Sequence, residues 1–288
     1  GQFLSGEDIH VTGQVKWNRS ENLVLRTKGS IVFKKDAKIL GEGRGSVILK
    51  SGMEPGRQEK YSSTVVFEGD SAQIEMLGDG KVKIYYNPSI GEEEHKYHNP
   101  DHDTYEQHIR VNDLTTYMLV NNVLDLQDIT LFLSGDYALS QNIDATETRN
   151  WNDGKGFEPL KDDGKKMPFS GDFDGNNYSI RGLFIKRSQE ESVGMFGECG
   201  KTDISHNVIE NVILEDFNIT GARFVGSLAG FAANSDLFNI KVVSPKIKGL
   251  AVVGGLIGTT DRVQVDVQIT EDAEITAFGN KGFAIGGA

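Results

Sequence analysis

The chain has 288 residues, 38% hydrophobic and 25% charged, enough apolar material for a substantial core and unlike a disordered segment. Its net charge of −12 repels phosphate backbones and anionic lipid, which argues against nucleic acid and membrane surfaces as partners. No apolar run approaches the ~20 residues of a membrane-spanning helix, and a single cysteine, Cys199, excludes an internal disulfide framework or a multi-cysteine metal site and reads as a buried structural thiol.

Strand signals open the chain: short runs such as LVLRT, SIVF, SVILK, TVVF and KVKIYY, separated by Gly, Asn and Asp. The stretch from Ser30 to Lys50 aligns with the stretch from Thr64 at an offset of 34, setting Ile31 over Val65 and Phe33 over Phe67. Between them GMEPGRQEKYSS, residues 52–63, is polar and interrupts the strand rhythm, as an excursion onto the surface does. GEGRG at 41–45 passes from one strand to the next with no helix to hold a phosphate, so it reads as a glycine turn. A second excursion, 89–110, holds His95, His98, His102 and His108 among acids and tyrosines; without fixed ligand spacing it reads as a solvated loop and not as a metal or haem site.

LTTYMLVNNVLDLQDI at 114–129 only partly matches a helix face, enough for one or two short helical turns. Strand text resumes at YALSQNI, and a third excursion spans 150–168, NWNDGKGFEPLKDDGKKMP. GDFDGNN at 171–177 begins like an EF-hand loop through Asp172, Asp174 and Asn176, but Asn177 stands where glycine is needed and Leu183 where a bidentate glutamate is needed, so a tight turn is the better reading. Asp144, Asp172 and Asp203, spaced by 28 and 31, could align as carboxylates of a polysaccharide-cleaving enzyme; each sits in turn-like text where Asp caps backbone amides, and no catalytic residue is assigned.

The last third repeats openly. SVGMFGEC, RFVGSLAGF and AVVGGLIGT carry Val193, Val225 and Val253 at steps of 32 and 28, while Asn211, Asn239 and Asp266 recur at steps of 28 and 27. A period near 28 accommodates a few short strands and tight turns, one coil of a parallel β-helix, in which equivalent side chains stack at about 4.8 Å from coil to coil. Asn211 and Asn239 then form an amide ladder at a turn. The expected fold is all-β: one right-handed parallel β-helix over 1–288, with long surface loops at the three excursions.

KVKIYYNP, TTYMLVNNVLDLQDI, LSGDYALSQNID, FSGDFDGNNYSIRGLFI and the glycine-rich VGMFG, VGSLAG and VGGLIG copies resemble the secreted exoproteins of bacterial two-partner secretion systems. That resemblance implies a right-handed β-helix, passage through a dedicated outer-membrane transporter, and a secreted or cell-surface location. The family's amino-terminal secretion module is not recognisable in the text, which reads as an internal fragment. The resemblance further implies a non-enzymatic role in gripping a host protein, with haemopexin as the partner and haem release as the outcome, by a monomer without cofactor or metal. An adhesin shaft and a carbohydrate-active β-helix enzyme are the other readings.

Loops held by a stiff scaffold are where recognition concentrates. The expected contacts in the first excursion are Met53, Glu54, Arg57 and Tyr61. In the third they are Phe157, Lys161, Asp162, Lys165, Lys166 and Met167, with Met53, Tyr61, Phe157 and Met167 as apolar anchors.

Overall fold

In the computed structural model the described residues are 2–5, 7–56, 61–88, 105–162, 167–200, 206–270, 272–278 and 285–286, with backbone alone at 2–5 and 285–286. Arg57, His95, His98, His102, Lys165, Lys166 and Asp203 lie outside them. The chain forms two compact units, Gly1–Leu119 and Val120–Ala288. Both are built mainly of β-strands paired in parallel, as the all-β expectation requires.

In the first unit, from Gln2 to Met76, the chain visits three sheets in the same order on each pass. One sheet takes Leu23–Thr27, Val47–Lys50 and Val82–Tyr86; a second takes Ile9–Val11, Ile31–Phe33 and Val65–Phe67; a third takes Gln14–Trp17, Lys38–Gly41, Gln73–Met76 and Ile109–Arg110. Alternation along each strand sends one set of side chains inward, and parallel in-register pairing sets like over like. Leu49 lies between Leu25 and Ile84, and Ile74 between Ile39 and Ile109, all buried. The anticipated pairs Ile31 with Val65 and Phe33 with Phe67 are Cα partners, and the two phenyl rings stack at 4.6 Å. Each buried Val, Leu or Ile contributes about 1.5–3 kcal/mol.

The second unit carries more strands per pass. Ser179–Arg181, Ile213–Glu215 and the latter part of Ala229–Val243 share one sheet; Phe184–Lys186, Asn218–Thr220, Lys246–Gly249 and Glu274–Ala277 share another. Val193 pairs with Val225 and Val225 with Val253, all fully buried, so the thrice-written valine is one core column. Cys199 is 1% exposed, as its apolar surroundings predict.

The corners explain the glycines and the short polar residues. A Cβ on Gly45 would lie 2.0 Å from the Glu21 carbonyl oxygen, and one on Gly80 would lie 2.4 Å from that of Gly45, so GEGRG and GDG stack where only hydrogen fits. Asn22 Oδ1 accepts the Ser46 amide at 2.9 Å, Asp136 Oδ1 that of Asp172 at 2.8 Å, and Asp172 Oδ1 that of Val208 at 2.9 Å. Each of these side chains caps the next pass, satisfying a donor that the turn takes out of the ladder.

Residues 114–129 divide. Leu114–Val120 is strand, because its first five residues pair with Val82–Tyr86. Asn122 then accepts the amides of Leu124 and Asp125 and caps a short helix, Val123–Asp128, followed by a single 3-10 turn, Ile129–Leu131.

Candidate partner-binding surface

The first excursion begins inside the fold. Gly52 and Met53 donate their amides to Gly29 O and Thr27 O at 3.0 and 2.9 Å, which draws Met53 to 2% exposure. It is a core side chain and not a surface anchor. Glu54 is exposed and pairs with Arg26 at 2.5 Å, and the half-buried Tyr61 donates a long 3.4 Å bond to Gly56 O.

The described end of the second excursion also packs. The His108 ring stacks on Phe67 at 4.7 Å with Nδ1 3.0 Å from Ala72 O, and Tyr105 meets Phe67 and Tyr86 edge-on. His108 therefore extends the Phe33–Phe67 stack and is not part of a solvated loop.

The third excursion contains the most built surface. Phe157 donates its amide to Phe184 O at 2.8 Å and is fully buried beside Trp151, so it too belongs to the core. The chain surfaces after Leu160, which is fully buried and bridges to Phe196, and re-enters at Phe169, which is fully buried and bridges to Cys199. Between them Lys161–Asp162 pairs antiparallel with Met167–Pro168. This hairpin leaves Met167 44% exposed and Lys161 and Asp162 half-buried. Two buried feet thus hold a short antiparallel two-stranded arm.

Beside the arm lies a groove of about 400 Å³ lined by Thr130, Leu131, Glu158, Pro159, Lys161, Asp162 and Glu190. The Gln127 side chain donates to Glu158 O at 3.0 Å and accepts from Glu158 N at 2.9 Å, clamping the 3-10 turn to the loop. Lys161 Nζ donates to Glu191 O at 3.1 Å, and Arg187 donates to Glu190 Oε1 at 2.9 Å and to Phe157 O at 3.2 Å. Of the contacts anticipated from sequence, Lys161 and Asp162 line the groove. Thr130, Leu131, Glu158, Pro159 and Glu190 line it as well and were not named as contacts from sequence. The signal was the period itself, since Gln127 and Glu158 stand 31 apart and Lys161 and Glu191 stand 30 apart.

Of the aspartates weighed for chemistry, Asp144 and Asp172 accept backbone amides, and Asp203 lies outside the described residues. Asp144 Oδ1 accepts the Thr146 amide at 3.0 Å, and Asp172 caps Val208. Asp174 accepts the Asn176 amide at 2.8 Å and Asn211 Nδ2 at 3.2 Å. Asn211 in turn accepts from Asn239 Nδ2 at 2.9 Å, forming the expected amide ladder, with both asparagines left-handed at φ of 56° and 50°. Among the described residues, no three or more His, Cys, Asp and Glu are arranged to hold a metal ion, and no helix is long and apolar enough to cross a membrane.

No protein-family model matches the chain, and no solved structure matches it. It is 38% identical over 150 residues to halomucin of Haloquadratum walsbyi, a match covering 49% of this chain and 2% of that protein. It is 30% identical over 115 residues to a putative Gly-rich membrane protein of Evansella cellulosilytica, covering 39% of the chain and 13% of the relative. It is 24% identical over 244 residues to an immunoglobulin A1 protease of Streptococcus sanguinis, covering 81% of the chain and 12% of the relative. The chain thus matches a small part of each of these much longer proteins, and none of the three names places it in the two-partner secretion family.

Proposed function

We propose that the chain is a non-enzymatic segment of a longer secreted or surface-exposed protein, in which right-handed parallel β-helix holds a partner-binding arm and groove on a stiff support. The observation that carries this reading is the hairpin of Lys161–Asp162 and Met167–Pro168, footed on buried Leu160 and Phe169 beside the clamped groove. A host protein is the proposed partner. Haemopexin, with haem release as the consequence, rests on the two-partner secretion resemblance alone and is the first partner to try. The spacer or adhesin-shaft reading draws support from the in-register parallel pairing of successive passes.

Calorimetric titration of the whole chain with purified host serum proteins, haemopexin first, tests the proposal. Saturable binding that weakens at least about tenfold in a Lys161→Glu, Met167→Asp variant is expected, the scale on which a few contact residues act. Binding that ignores the arm, or none to any host protein, favours the spacer. For the enzyme alternative, acidic polysaccharides are incubated with wild type and Asp172→Asn. Absence of turnover ends that reading, whereas turnover abolished by the substitution would replace the binding proposal.

A further inference from the structure

We infer that the open end of the second unit, formed by Ile257–Ile269 and Glu274–Ala277, is a docking surface for one more pass of parallel strand, supplied by the same polypeptide after residue 288. The inference rests on the reading of the chain as a segment of a longer protein and assigns that further length a place to bind.

Three core columns run out at this end. Ile209 pairs with Leu237 and Leu237 with Val265; Leu214 pairs with Val242 and Val242 with Ile269; Ile219 pairs with Ile247 and Ile247 with Ile275. The first two members of every column are fully buried, whereas Val265 is 44% exposed and Ile269 and Ile275 are half-buried. In-register parallel partners project to the same face of a sheet, so these three side chains continue the core columns and lack only a layer beneath.

A repeat stack closed at its end carries polar residues on its last layer. Here Val263, Val265, Val267 and Ile269 alternate instead with Gln264, Asp266 and Gln268, the pattern of a strand with one covered face. Ile257–Ile269 and Glu274–Ala277 are also outermost in their sheets, each with a single neighbouring strand among the described residues. A long strand with an apolar face and an open ladder edge is one that proteins pair or cover.

The repeat itself indicates the occupant. Val225 and Val253 each stand four residues before the start of a long strand, Ala229–Val243 and Ile257–Ile269. Ile285 is the Cα partner of Val253 and Gly286 of Gly254, so a fourth copy of the glycine motif is already in register. The same step sets the next long strand just past Ala288, beside Ile257–Ile269. The first pass of a second copy is a poorer match, because its strands Gln2–Ser5, Ile9–Val11 and Gln14–Trp17 have 4, 3 and 4 residues against an edge of 13.

The test compares the whole chain with a version extended by the roughly 30 residues, one further pass, that its gene encodes after Ala288. Amide hydrogen exchange is followed residue by residue. The amides of Ile257–Ile269 that do not bond to Ala229–Val243 are expected to exchange at least about tenfold more slowly in the longer protein. Val265→Asp, on the covered face, is expected to abolish that gain, and Gln264→Lys, exposed on the other face, to keep it. Circular dichroism verifies the fold of each variant. Equal exchange in the two lengths, or a gain that survives Val265→Asp, overturns the inference while leaving the partner-binding reading standing. Protection that rises with protein concentration in both lengths makes a second copy the occupant and also overturns it. A reading frame that stops at Ala288 overturns it together with the longer-protein reading.

Discussion

Asn211 shows how much one corner residue does. Its backbone is left-handed, its side-chain amide donates to Asp174, and its carbonyl oxygen accepts from Asn239. Asn211→Ala removes the bonds and forces a β-carbon into a conformation that asparagine tolerates better, a combined cost of about 2–3 kcal/mol. Asn211→Gly keeps the conformation accessible and loses only the ladder, about 1 kcal/mol. Urea unfolding of the two variants separates backbone strain from amide bonding: equal losses would contradict the strain, and an Asn211→Gly variant as stable as wild type would contradict the ladder. Cys199 gives a pH prediction. Burial pushes its thiol up to about 12, so it stays protonated in the fold over a range where the unfolded thiol ionises. Burial likewise raises the Tyr137 hydroxyl, which donates to Phe132 O at 2.8 Å. The unfolded chain binds fewer protons above about pH 9, so stability is full below that pH and falls as pH rises towards 12. Denaturation midpoints between pH 8 and about 11 are expected to decline, less steeply in Cys199→Ala, with the native thiol unreactive to Ellman's reagent at pH 8.

At the scale of strands the repeat spacing foretold register well. Steps of 32 and 28 predicted that Val193, Val225 and Val253 stack, and they do. The shorter step of 27 to Asp266 is equally informative: Leu237 pairs with Val265 and Ile240 with Val267, so two residues face one and the register slips where the residue is missing. Inserting one asparagine after Asp266 restores the 28-residue step and is expected to cost less than about 0.5 kcal/mol, as surface changes do. One residue inserted between Val263 and Gln264 turns the following side chains to the wrong face and is expected to unfold that pass. Thermal melts of both variants check this, and similar losses would contradict the register. Burial within the excursions was not legible. Met53 and Phe157 sit among Gly, Pro and charges, which read locally as solvated loop; their burial comes from amide bonds to Thr27 and Phe184, each about one pass away. The groove escaped for the same reason, because Thr130, Leu131 and Glu190, which line it with Lys161 and Asp162, stand about a period upstream or downstream of them.

Across the molecule, each unit gains order from contacts between neighbouring passes, the pattern of repeat proteins whose stability is nearly a sum of unit and interface terms. Exposed ion pairs follow the same geometry: Lys34 with Glu68, Arg181 with Asp216 and Lys246 with Glu274 each join successive passes. Worth about 0–1 kcal/mol each, they favour in-register alignment more than they add stability. Every functional proposal made for the arm and groove depends on that stacking, because it brings residues about 30 apart into one surface. The most direct test places nitroxide spin labels at Lys246→Cys and Glu274→Cys in a Cys199→Ala background. The two positions are Cα partners on adjacent parallel strands. At the ~4.8 Å spacing of neighbouring strands, the doubly labelled protein is expected to give a strongly dipolar-broadened spectrum; a spectrum equal to the sum of the two singly labelled proteins would contradict the stacking on which the rest depends.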